Sequence, residues 1–99
     1  MTIVQPKVIE ELTHRVDEVL HYVWDPIGIS DQPLARNEYS AYGPRVLSLL
    51  MANADATQLG SHLDQIAVQN MGLSSNLEQS IQVAKILIAW RETLQGGHA

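Results

Sequence analysis

Apolar residues recur at every third or fourth position along most of this chain, and nowhere do they alternate with polar ones for long. That spacing fits one face of an α-helix and leaves no segment that reads as a strand. Punctuation then divides the periodic run. Pro6 suits the first turn of a helix, where its missing N–H costs nothing. Val8 or Ile9, Leu12, Val16, Val19 or Leu20, and Val23 form one apolar stripe over residues 6–24. On its outer face Glu11 and Arg15 stand four residues apart and can pair. Pro26 ends the segment, because the residue before a proline is pushed out of the α region.

A loop rich in Asp, Gly, Pro and Asn follows over 25–37, with Arg36 as its one basic residue. The second helical region, about 36–53, carries Tyr39, Tyr42, Val46 and Leu49 or Leu50, with a break at Gly43-Pro44. A short turn near 36–42 and then a helix with Pro44 near its start is the simplest arrangement; one kinked helix is the alternative. Asp55 to Gln58 is a capping-box variant that opens a third helix over 56–70, and Gly72 is a candidate left-handed terminator. Ser75-Asn76-Leu77-Glu78 is a cleaner capping box for a fourth helix over 76–95, stopped by Gly96-Gly97. The expected fold is all-α: a single domain over 1–99, built as a small antiparallel bundle of four helices.

The fourth helix is the most apolar. From Val83 to Trp90 it leaves almost no polar face, so it is either central in the bundle or covered by a partner. The central position is the expectation. A homodimer through this helix is the alternative.

Composition narrows the function classes. The chain has no Cys, which excludes disulfides, thiolate metal sites and a thiol nucleophile, and fits a reducing compartment. A net charge of −5 argues against a nucleic-acid binder and is compatible with a basic protein partner. No apolar run approaches the roughly 18 residues needed to span a membrane. The start, MTIVQPKVIEEL, lacks the charged beginning and apolar centre of a signal peptide, so a cytoplasmic location is expected.

Catalytic constellations are missing. There is no phosphate-cradling glycine loop and no Gly-x-Ser-x-Gly elbow, and the paired carboxylates at 10/11 and 17/18 fall on a helix surface. His14, Glu18 and His21 share a stripe that could be imagined as metal ligands. Seven residues of helical rise separate the two histidines by about 10 Å, and the stripe is the solvated face of the helix. The expectation is a non-enzyme with no metal and no cofactor.

One stretch stands apart. Asp25 before Pro26 is a turn former, with Trp24 sealing the end of the core. Together with Asp31, Glu38, Tyr39 and Tyr42 it could instead form a protein interface: tyrosines as anchors, carboxylates to steer a basic partner. The alternative for the two tyrosines is inward packing at the start of the second helix.

Trp24-Asp25-Pro26-Ile27-Gly28, then Asn37 to Leu50 with its EYxxYxPR segment, then Met71-Gly72-Leu73, resemble a group of short bacterial helical proteins, mostly of unknown function. The resemblance spans about residues 8–94. It implies an all-helical single domain and transfers no catalytic residue. Small acidic proteins of this type suggest immunity proteins, which bind a cognate toxin, here a basic toxin domain, and block it. The Ala41 and Gly43 of SAYGP depart from what the pattern leads one to expect and weaken the helix there.

Overall fold

The computed structural model describes residues 6–25 and 39–96. Every regular element among them is helical. Helix α1 runs Pro6–Glu18 and continues without interruption as a π-helical turn, Val19–Trp24. Helix α2 is Gly43–Met51, with Pro44 in its first turn. Helix α3, Ala56–Gln65, also passes into a π-helical turn, Ile66–Asn70, and α4 is Leu77–Gly96. No helix among the described residues is long and apolar enough to cross a membrane.

Helix ends are fixed locally. Asn53 adopts φ 62° and ends α2, its N–H donating to the Leu50 carbonyl while that of Ala54 donates to Leu49. These two bonds make a Schellman ending. Two residues on, Asp55 and Gln58 form a reciprocal capping box at the start of α3. Gly72, at φ 69°, supplies the left-handed residue after the second π turn. At the start of α4 the cap lies one residue later than the sequence suggests. Asn76 Oδ1 accepts from the Gln79 N–H, while the Ser75 hydroxyl and the Asn76 N–H both donate to Asp64 on α3.

The core is one cluster. Leu12, Val16 and Leu20 meet Val46 and Leu50 of α2, Leu59 and Leu63 of α3, and Val83, Ala84 and Leu87 of α4. Helices α3 and α4 make the most extensive contact, and α4 also packs on α1, α2 and the first π turn. The fourth helix therefore packs on all the others, which accounts for Val83, Ala84 and Leu87 of its apolar run, while Ile86 and Ala89 of the same run are exposed. Arg91, also buried, donates from one guanidinium nitrogen to the Leu50 and Ala54 carbonyls (3.2 and 3.3 Å). A cation is thus held at the negative C-terminal end of α2.

The π turn at Val19–Trp24 corrects the sequence-based stripe. A helix with i→i+5 bonding accommodates one residue more than an α-helix would in the same turn. The inward register slips accordingly: His21 and Trp24 are buried, and Val23 is 44% exposed. His21 therefore does not lie on the solvated face with His14 and Glu18.

Candidate protein interface

The first π turn ends in a corner built from Trp24, Asp25, Tyr39 and Tyr42. Asp25 leaves the helix at φ 25°, ψ 60°, and its N–H donates to the Leu20 carbonyl at 3.1 Å. Asp is among the few residues that tolerate such a backbone. Its carboxylate accepts the Tyr39 hydroxyl at 2.6 Å. The Tyr39 ring lies 5.7 Å from that of Trp24, and Tyr42 meets the same indole edge-on at 6.2 Å.

Tyr39 is 1% exposed and Tyr42 half-buried, so the inward alternative describes the two tyrosines. Tyr39 presents no aromatic surface to solvent and instead ties the helical start at Tyr39–Ser40 to the end of α1. Asp25 is a half-buried member of the same corner. Asp31 and Glu38, and with them most of the loop, lie outside the described residues.

The exposed aromatic of this region is Tyr22, at 63%. It stands edge-on to the ring of buried His21 at 4.3 Å. Above it on α1 are Glu18 and Glu11, with Arg15 between them. Arg15 reaches both, at 2.8 Å to Glu18 and 3.2 Å to Glu11, and lies over the Trp90 ring of α4 at 5.2 Å. One cation thus faces two carboxylates and an indole, and the outer side of α1 stays net acidic with an aromatic at its end. Such a pairing suits protein recognition, where Tyr supplies contact area at low entropic cost and acidic groups steer a basic partner.

A cavity of about 180 Å³ opens beside the same corner, lined by Trp24, Asp64, Leu73, Asn76, Gln79 and Ser80 among others. Its one carboxylate, Asp64, already accepts two hydrogen bonds at the start of α4. No group of three or more His, Asp or Glu side chains suited to a metal ion occurs among the described residues. His62 on α3 is a titratable group with a clearly shifted pKa. Burial, and then the nearby Arg45 charge, hold its pKa below the ordinary 6.5.

Comparison of the chain with protein-family models, curated proteins and solved structures finds no match.

Proposed function

We propose that this chain is a small acidic protein-binding module of the cytoplasm, an immunity protein whose four antiparallel helices present a surface that neutralises a basic toxin domain. The observation that carries this is Tyr22, exposed at the foot of an acidic helix face. Supporting it are the net charge of −5 and the resemblance of the WDPIG and EYxxYxPR segments to short bacterial helical proteins. Tyr22 takes over the anchoring role that sequence alone gave to Tyr39. Asp25 and Tyr42 remain the adjoining acidic and aromatic part of the surface, and Asp31 and Glu38, outside the described residues, remain members of it on the sequence alone. The module acts by covering the toxin's basic substrate groove rather than by chemistry.

The test is a rescue of growth. The gene immediately upstream is expressed with and without this protein. Expected is a toxic neighbour whose effect the wild type abolishes. A Glu11→Lys, Glu18→Lys, Tyr22→Ala variant should keep its helical circular dichroism and lose the rescue. A harmless neighbour, or growth that the wild type does not restore, overturns the proposal.

A further inference from the structure

Helix α4 buries Val83, Ala84, Leu87 and Arg91 and covers Ile81, Ile88, Trp90 and Leu94 in part. What remains is a continuous outward strip of Gln82, Lys85, Ile86, Ala89, Glu92, Thr93 and Gly96, all exposed. The strip is about 20 Å long at 1.5 Å rise per residue. Its middle is apolar. Ile86 stands out at 40% exposure beside small Ala89, and a shallow hollow of about 240 Å³ lies between Ile86, Ala89, Trp90 and Thr93.

The charges on the strip are arranged in a particular way. Lys85 has no ion pair among the described residues, and Glu92, with a side chain 71% exposed, reaches only Arg91, at 3.8 Å. The two are seven residues apart, so they hold the same heptad position on the same flank of the apolar middle. A twofold axis perpendicular to the helix, passing between Ile88 and Ala89, turns the strip onto itself and exchanges these two positions. Lys85 of each copy then meets Glu92 of the other, twice by symmetry. Parallel, in-register pairing would bring like charges to the same level, which is unfavourable.

We infer that the outward strip of α4 pairs antiparallel with the same strip of a second copy, Lys85 of one meeting Glu92 of the other and Ile86 filling the hollow beside Ala89. One helix pair buries less than the roughly 1,200 Å² of standard stable interfaces, so the dimer is weak and depends on concentration. The inference uses none of the α1 residues tested in the rescue experiment, so the two can fail separately.

Sedimentation equilibrium of the full chain at low salt, from roughly 10 μM to 1 mM, spans the range in which such an interface saturates. The wild type should pass from monomer to dimer. Lys85→Glu places like charges at both symmetric positions and should weaken association by about tenfold or more. The double variant Lys85→Glu, Glu92→Lys restores opposite charges and should recover the dimer. Both residues are exposed, and unchanged circular dichroism would show the fold kept. A wild type that stays monomeric throughout, a Lys85→Glu variant that dimerises as well as the wild type, or a double variant that stays monomeric overturns the inference.

Discussion

Gly60 allows α3 and α4 to approach as closely as they do, and replacing it with Ala should destabilise the protein although Ala is the better helix former. A Cβ at this position would stand 2.6 Å from Ile81 Cγ1, 2.8 Å from its Cα and 3.0 Å from its backbone N. The first contact can be relieved by a side-chain rotation. The other two involve the backbone of α4, which yields only if the helix moves. Helix propensity favours Ala by about 1 kcal/mol. Forcing a methyl group into a packed contact costs about 1–3 kcal/mol, and occasionally more. Here the upper part of that range applies, because carbon atoms rest about 3.5–4.0 Å apart and α4 must retreat by close to 1 Å to reach that separation. The retreat also loosens Leu59 and Leu63 against Val83, Ala84 and Leu87 in the same core cluster. A net loss of about 2 kcal/mol is expected, lowering Tm by roughly 8–16 °C in a domain of this size. Thermal melts followed by circular dichroism measure it, and urea titration should show a lower midpoint with an unchanged slope. A Gly60→Ala protein that melts at or above the wild-type temperature would refute the close approach as a determinant of stability.

Arg91→Met keeps the apolar stem but removes the donors to Leu50 and Ala54; a loss of about 2 kcal/mol is expected in urea unfolding, and a change below about 0.5 kcal/mol would show that the guanidinium does not stabilise this helix end. His62 has a depressed pKa in the folded state, so the unfolded chain takes up its proton first: stability should fall as pH drops below the ordinary 6.5 and level off below the folded-state value. Tm measured from pH 7.5 to 5 in wild type and His62→Gln should show a flatter slope in the variant, and equal slopes would exclude His62 as the cause. Tyr39→Phe deletes the 2.6 Å hydrogen bond to Asp25 and should cost about 1–2 kcal/mol. Combined with Asp25→Asn, the losses should be less than additive, and full additivity would mean that the two side chains do not stabilise one another.

Local chemistry made the helix ends legible. Pro6 before a periodic run, Asp55 with Gln58, and Gly72 act within a few residues of themselves; α1 is described from Pro6 onward, and the structure places helix ends beside the other two. The cap of α4 is displaced to Asn76 because Ser75 serves Asp64, a partner on another helix that sequence spacing does not reveal. The π turns were not legible. A bulged turn is stabilised by what it buries, and the string Val19 to Trp24 reads equally well as α-helix. From that single slip follow the burial of His21 and the exposure of Val23. Tyr39 and Tyr42 posed a different problem: a tyrosine at the start of a helix suits a core edge as well as an interface, and only the positions of Trp24 and Asp25 decide between them. Arg91 likewise reads as a surface cation until the end of α2 is placed beside it.

The Asp64 clasp bears on the order in which the chain assembles. Its hydrogen bonds to Ser75 and Asn76 join α3 to α4 across only 11 and 12 residues. Contacts so close in sequence form at little cost in loop-closure entropy. Helix α1 meets α4 across more than half the chain, so its docking carries a larger entropic cost. The α3–α4 pair is therefore expected to form early and the α1–α4 contact later. Native-state hydrogen exchange should find the α4 amides near Leu87 the slowest and those of α1 exchanging through a lower-energy opening; equal protection of the two would contradict this order. If α1 opens ahead of the α3–α4 pair, a partner that grips its acidic face raises the cost of that opening by its own binding free energy.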